Sequence, residues 1–225
     1  MDVFVVSDLH IGSPHCRHAE VRRFLAGLPA GATLVLNGDI LDHPGLALPD
    51  EARATLDALQ ARAADLRAFW VYGNHDPRER LPPMAGFEYG DEFTSAEGRL
   101  LAVHGDDFHG AGLHHRWFAK LFRCLYRCRL RLGAQPMHVA QYAKRFPFFY
   151  RVLRNTVAAN AVGYARAKGG TTIVCGHVHF AEERRLDGVR YFNTGAWTEA
   201  PSWYLHVNGD TARLVKWGED PGQPS

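Results

Sequence analysis

The chain has few cysteines and no long apolar segment, and both shortages exclude classes of protein. Its 225 residues include only four cysteines, Cys16, Cys124, Cys128 and Cys175, and no two of them form a C-x-x-C pair. A chain of this size does not need disulfides to fold, so we expect free thiols in a reducing compartment. No apolar run approaches the roughly 18 residues that cross a bilayer, so no transmembrane helix is expected.

The chain also begins without the features of an export signal. Only Met1 and Asp2 precede the apolar run VFVV, with no basic residues before it and no cleavage site after it. We therefore expect a cytoplasmic protein. With 46% hydrophobic residues, the chain has enough material for one compact domain, which we place at residues 1–217, followed by a frayed tail at 218–225.

Acidic residues are missing from Phe108 to Ala181. Residues 109–168 hold 12 of the 26 Lys and Arg residues, which leaves 14 basic residues against 24 acidic ones elsewhere in the chain. Such a block indicates either an anionic partner or a solvated, Arg-rich helical surface. We interpret residues 109–168 as an inserted, aromatic-rich helical cap over the functional site, interrupted at Pro136 and Pro147.

Short apolar runs, each followed by a polar cluster, predict buried strands. The runs are VFVV (3–6), TLVL (33–36), AFWVY (68–72), RLLAV (99–103) and TTIVC (171–175). Helical patterns at 19–28 and 49–64 alternate with the first three runs, and this alternation predicts a parallel or mixed sheet covered by helices. After Gly176 the runs VRYFN, SWYLHV and TARLVKW predict an ending built only of strands.

The polar clusters supply side chains that bind metals or transfer protons. The candidates are Asp8, His10, Asp39, Asn74, His75, His104, His177 and His179. Ligands bind at the carboxyl ends of strands in α/β sheets, so we expect these side chains to converge. One such cluster alone is more typical of an ordinary polar strand end, but five in this order predict a metal centre. Carboxylate, imidazole and amide ligands suit Mn²⁺, Fe, Zn²⁺ or Mg²⁺.

The motif series SDLH, GDILD, GNHD, HGD and GHVH resembles the calcineurin-like metallophosphoesterase family over residues 3–180. The resemblance implies an α/β fold in which a two-sheet β-sandwich is flanked by helices, here with a helical insertion. It also implies two divalent metal ions, one held by Asp8, His10, Asp39 and His179, the other by Asp39, Asn74, His104 and His177. His75 would lie beside the phosphate, so we assign His75 and Asp39 as catalytic residues.

The implied chemistry explains these residue types. Two cations about 3.5–4 Å apart can clamp a phosphoryl group for attack by water, and Asp39 would set their spacing. His75 would stabilise the phosphoryl oxygens or protonate the leaving group. Asp76 would either orient His75 or cap a turn before Pro77. We therefore expect a metal-dependent hydrolase of phosphoric esters or anhydrides.

Within the family, the insertion after HGD and the motifs GHVHFAE and NTGAW most resemble the bacterial UDP-2,3-diacylglucosamine pyrophosphohydrolases. Those enzymes of lipid A synthesis use Mn²⁺, work at the inner membrane and release UMP and 2,3-diacylglucosamine 1-phosphate. The resemblance implies the same lipid substrate, metal and peripheral location here. The better-known members have Arg at the position of His75.

The insertion supplies candidate contacts to such a substrate. Its segment 114–132 is basic and amphipathic, which fits an anionic membrane surface. The predicted substrate-binding residues are Arg116, Lys120, Arg123 and Arg127.

Three other functions stay open at this point. The chain could be a soluble phosphomonoesterase or phosphodiesterase, or a nuclease whose Arg and aromatic side chains track a strand. It could also be a metal-free interaction scaffold, although the complete ligand set argues against that. Nucleic acid is not the expected partner, and no protein partner is inferred.

Overall fold

The structure is a computed structural model that describes residues 2–95, 99–109 and 142–218. The strands in this part of the chain are β1 (Asp2–Val6), β2 (Thr33–Asn37), β3 (Arg67–Val71), β4 (Phe87–Gly90), β5 (Phe93–Thr94), β6 (Leu100–Ala102), β7 (Thr172–Cys175), β8 (Glu182–Leu186), β9 (Val189–Asn193), β10 (Trp203–Asn208) and β11 (Thr211–Lys216). The helices that lie wholly within the described residues are α1 (His18–Gly27), α2 (Asp50–Ala63), α3 (Pro147–Ala167) and a 3₁₀ turn (Asp106–His109).

The strands form two mixed sheets. The first has the order β11-β10-β1-β2-β3-β4, and the second has the order β5-β6-β7-β9-β8. Strands β1 to β4 are parallel to one another, as are β6, β7 and β9, while the antiparallel pairs lie toward the edges. The parallel strands at the centre of each sheet have their carboxyl ends at the same edge, and the predicted ligands follow these strand ends in the sequence.

Apolar side chains fill the space between the two sheets. Val5, Val35 and Val71 of the first sheet belong to one buried cluster with Val174 and Phe192 of the second. Strands with both faces covered need continuous apolar runs, and this is the pattern in the sequence. The predicted two-sheet sandwich flanked by helices is therefore confirmed.

Helices cover the outer faces of both sheets. Phe24 of α1 and Leu59 of α2 pack with Trp70 against the first sheet. Ala158 and Ala161 of α3 pack against the second sheet. None of the helices in the described part of the chain is both long enough and apolar enough to cross a membrane.

The predicted cap at 109–168 is described only in part. Helix α3 begins at Pro147, a favourable first helical position, and runs to Ala167. Its buried face covers the second sheet, so this part of the predicted cap is also a layer of the sandwich. Residues 110–141 and the tail from 219 onward lie outside the described residues.

Candidate metal centre

The predicted ligands have an unusual backbone conformation. Within the described residues six non-glycine residues have positive φ, and five of them are predicted metal ligands: Asp8 (53°), His10 (49°), Asp39 (55°), His177 (66°) and His179 (51°). This left-handed region is uncommon for residues with a Cβ atom and costs on the order of 1–3 kcal/mol for each residue. The strain is thus concentrated where the side chains must converge.

One group of side chains brings together Asp8, His10 and His179, all of them buried. His179 Nε2 lies 3.1 Å from Asp8 Oδ1 and 3.3 Å from His10 Nε2. Three ligand atoms at such distances surround a space that suits one cation.

A second group brings together Asp39, His104 and His177. Asp39 Oδ2 lies 3.2 Å from His104 Nε2 and 4.0 Å from His10 Nε2. This carboxylate oxygen therefore lies between the two groups, in the place that a bridging ligand would take. Asn74 is exposed on the loop after β3, and its assignment as a ligand stays a prediction.

The two ring nitrogens of His104 show whether these residues fit a metal ion. Its Nδ1 lies 2.9 Å from the carbonyl oxygen of Asn37, which can only accept a hydrogen bond, so Nδ1 carries the proton. The buried Nε2 has no hydrogen-bond partner among the described residues. An imidazole fixed through one nitrogen, with the other open beside a carboxylate, is typical of a metal ligand.

The charges of the ligands also fit a cation. Burial acts to raise the pKa of Asp8, but the neighbouring His179 outweighs it and lowers this pKa to about 2. Burial opposes ionisation of Asp39 in the same way, and His104 together with His10 holds its pKa below the usual value. Both carboxylates are therefore ionised at neutral pH, the form that binds metal.

Two glycines of the motifs are required because predicted ligands lie too close to their Cα atoms to leave room for a Cβ atom. Gly38 has φ +79°, and a Cβ atom there would lie 2.4 Å from the His104 ring. A Cβ atom at Gly176 would lie 2.3 Å from Asp8 Oδ2. Any larger residue at either position would displace a ligand.

Asp42 belongs to the candidate centre, and the sequence reasoning missed it. His10 Nδ1 donates to Asp42 Oδ1 at 3.0 Å, which turns His10 Nε2 toward the first group. His75 Nδ1 donates to the carbonyl oxygen of Asp42, also at 3.0 Å. A carboxylate behind a metal-binding histidine fixes the tautomer and orientation of the ring. The available signal was the second aspartate of GDILD, three residues after Asp39.

Asp76 does not orient the His75 ring, because the ring nitrogen of His75 is hydrogen-bonded to Asp42 instead. Its fully buried carboxylate accepts hydrogen bonds from the backbone N–H groups of Asp39, Ile40, Leu41 and Gly73 and from the indole N–H of Trp70, at 2.8 to 3.2 Å. Burial raises the pKa of Asp76 to about 6, while these donors favour the ionised form. Asp76 therefore ties the loop after β2 to the loop after β3.

His75 lies at the mouth of the centre, with its side chain 33% exposed. Burial acts to lower its pKa, but the Asp42 hydrogen bond and the Asp39 charge outweigh it and raise the pKa to about 9. In the absence of bound cations, this raised pKa favours the positively charged ring, which suits an anionic group. The predicted substrate-binding residues Arg116, Lys120, Arg123 and Arg127 lie outside the described residues.

A comparison with protein families identifies the class of protein. The sequence model of the calcineurin-like phosphoesterases matches residues 1–181, which is most of the chain. The chain therefore belongs to the calcineurin-like metallophosphoesterase family and is a phosphoric ester hydrolase. No curated protein matches the chain in sequence.

Solved structures with similar folds have low sequence identity to the chain. Vps29 from Chaetomium thermophilum is 14% identical, with 100% of this chain and 92% of that chain covered and a TM-score of 0.50. Yfce, a phosphoesterase from E. coli, is 17% identical, with 97% and 94% covered and a TM-score of 0.49. An archaeal phosphodiesterase is 13% identical, with 96% and 99% covered and a TM-score of 0.49. At such identities the likeness concerns the fold alone.

The geometry of Asp42 predicts the effect of Asp42→Asn. The substitution keeps the shape but removes the negative charge behind His10 and His75. We expect affinity for Mn²⁺ or turnover of bis(p-nitrophenyl) phosphate to fall about 10–100-fold, the usual result of losing such a partner. Calorimetric titration with Mn²⁺ and steady-state kinetics measure both quantities.

Asp210→Asn is a matched control, because it makes the same chemical change in an exposed ion pair with Arg99. We expect this control to behave as the wild type. If Asp42→Asn does so too, the carboxylate of Asp42 does not position His10, while the backbone hydrogen bond to His75 is kept in both proteins.

Proposed function

We propose that the chain hydrolyses the pyrophosphate bond of a lipid-linked nucleoside diphosphate by a two-metal mechanism. The proposed substrate is UDP-2,3-diacylglucosamine, the products are UMP and 2,3-diacylglucosamine 1-phosphate, and the proposed metal is Mn²⁺. The observation that carries the two-metal mechanism is the position of Asp39 Oδ2 between two groups of buried ligands.

Each side chain of the centre would have a separate role in the reaction. When bound, the two cations would clamp the phosphoryl group and activate the attacking water. Asp39 would hold them at a fixed spacing, and Asp42 would orient His10. His75 is tied to Asp42 through Nδ1, so its Nε2 is the atom that can meet a phosphoryl oxygen or the leaving group.

A patch on α3 supports a substrate with acyl chains. The patch consists of the residues Phe148, Phe149 and Val152, which are 61%, 48% and 41% exposed. Arg145 and Arg151 are exposed beside it. Contiguous apolar side chains on a surface are uncommon unless they bind a partner, and neighbouring cations favour an anionic lipid.

The helical turn that carries the α3 patch is hydrogen-bonded to the loop that carries two predicted ligands. Tyr150, in the same helical turn, donates a hydrogen bond from its hydroxyl to the carbonyl oxygen of Val178. Val178 stands between the predicted ligands His177 and His179. A lipid held at the patch would therefore have its phosphates within reach of the metal centre.

Asp39→Asn tests the metal centre. An amide is a poor bridging ligand, so both cations should bind more weakly and turnover should fall about 10³-fold or more, since each contributes several kcal/mol. His179→Ala, in contrast, removes a ligand of one cation only, and excess Mn²⁺ should partly restore its turnover. Metal content by mass spectrometry and turnover of bis(p-nitrophenyl) phosphate give both readouts. Wild-type activity in Asp39→Asn would exclude the two-metal mechanism.

Serine at both Phe148 and Phe149 tests the lipid substrate. The double variant loses apolar contacts worth about 1.5–3 kcal/mol for each fully buried ring. We expect the ratio of kcat/KM for UDP-2,3-diacylglucosamine to that for bis(p-nitrophenyl) phosphate to fall about tenfold or more. Equal losses on the two substrates would mean that the patch supports the fold and does not bind lipid.

His75 distinguishes the lipid reaction from that of a general phosphomonoesterase. His75→Ala should lower kcat about 10²–10⁴-fold and leave the metal content intact. His75→Arg keeps a cation that can stabilise phosphoryl oxygens but cannot give up a proton. Since UMP is a good leaving group, His75→Arg should retain far more activity than His75→Ala on UDP-2,3-diacylglucosamine. The same comparison on an alkyl phosphate should show no such rescue.

If His75→Arg is as inactive as His75→Ala on the UDP-lipid, His75 is a proton donor to a poorer leaving group. A soluble phosphomonoesterase is then the better description.

A further inference from the structure

Three histidines surround Asp42 and become more exposed with distance from the metal centre. The side chain of His10 is 1% exposed, that of His75 is 33% exposed and that of His43 is 66% exposed. Their nearest nitrogens lie 3.0, 3.4 and 3.6 Å from the Asp42 carboxylate. The three rings therefore form a row that leads from the buried ligands to solvent.

The spacing of the rings gives the row its order. The centroid of the His75 ring lies 4.7 Å from that of His10 and 6.0 Å from that of His43. A phosphoryl group at the metal centre would face His10 and His75 first. The part of the substrate that follows it toward solvent would meet His43.

We propose that His43 binds the second phosphate of a diphosphate substrate and thereby favours diphosphates over simple phosphate esters. In a diphosphate, the group next to the reacting phosphoryl carries anionic oxygens, which accept hydrogen bonds from an imidazole N–H. In a simple ester that position holds an alkyl or aryl group, which gains nothing from this donor. The inference rests on the proposed function for the diphosphate and adds a residue that selects it.

The fold does not need the side chain of His43. Its Nε2 is 3.6 Å from Asp42 Oδ2, which is longer than a hydrogen bond, and most of the ring is exposed. The local turn uses its backbone instead, since the carbonyl oxygen of His43 accepts a hydrogen bond from the N–H of Leu46. A substitution at His43 should therefore report on ligand binding and leave the fold intact.

The test compares inhibition by pyrophosphate with inhibition by phosphate in wild type, His43→Ala and His43→Gln. Hydrolysis of bis(p-nitrophenyl) phosphate is the reporter, with Mn²⁺ in excess over both inhibitors. In His43→Ala the ratio of the pyrophosphate to the phosphate inhibition constant should rise about tenfold, the effect of losing one hydrogen bond to a charged group. His43→Gln keeps an N–H donor and should recover part of the difference.

Calorimetric binding of methylenediphosphonate makes the same comparison without turnover. A weaker affinity in His43→Ala than in wild type, with partial recovery in His43→Gln, supports the proposal. An unchanged inhibition ratio in His43→Ala overturns it, and so does an equal loss of affinity for phosphate and pyrophosphate.

The lipid proposal and this inference can fail separately. If His43→Ala loses its preference for pyrophosphate but wild type does not hydrolyse UDP-2,3-diacylglucosamine, His43 selects diphosphates and only the lipid substrate is wrong. If wild type hydrolyses the lipid and His43→Ala keeps the wild-type inhibition ratio, only the role of His43 is wrong.

Discussion

The carboxylate of Asp39 lies between two groups of histidines, and a hydrogen bond from a neighbouring loop holds it there. Its two oxygens have different partners. Oδ1 accepts the backbone N–H of His75 at 2.8 Å, while Oδ2 faces His104 and His10. One oxygen is thus fixed by the protein, and the other remains available to metal ions. A carboxylate held in this way would lose little rotational freedom on binding cations, so it is well suited to the predicted role of shared ligand.

The left-handed backbone of the ligands requires compensation elsewhere in the structure. At Asp39 the compensation comes from Asp76, whose carboxylate accepts the N–H groups of Asp39 and of the two residues after it. Hydrogen bonds from several donors to one buried charge are strong, because little water competes with them. The same carboxylate binds the N–H of Gly73, so the strand ends that carry Asp39 and His75 are fixed relative to each other. The buried carboxylate of Asp76 therefore stabilises the strained backbone at Asp39.

The sequence predicts the centre of this fold better than its edges. Strands β2 and β6 are buried along their whole length and β1, β3 and β7 over most of theirs, so each needs an apolar run that is visible in the sequence. The edge strand β8 has the sequence EERRL, whose alternating exposure depends on its pairing with β9, and it was not predicted. Asp42 was missed for a similar reason, since its role depends on the direction in which two imidazole rings turn. Sequence spacing indicates which residues converge, and the structure adds which atom of each ring is held.

Helix α3 links the packing of the sandwich to the surface beside the metal centre. Its buried face includes Ala158, Ala161 and Ala165, whose small side chains let the helix pack closely on the second sheet. In the first turns of the same helix, Phe148 and Phe149 are exposed, while Tyr150 is buried. The Tyr150 hydroxyl donates a hydrogen bond to Val178, in the loop that holds His177 and His179. Because a helix moves largely as one unit, its packing on the sheet fixes the distance between the exposed aromatic rings and the metal ligands. The position of the α3 patch therefore depends on how Ala158, Ala161 and Ala165 pack against the second sheet.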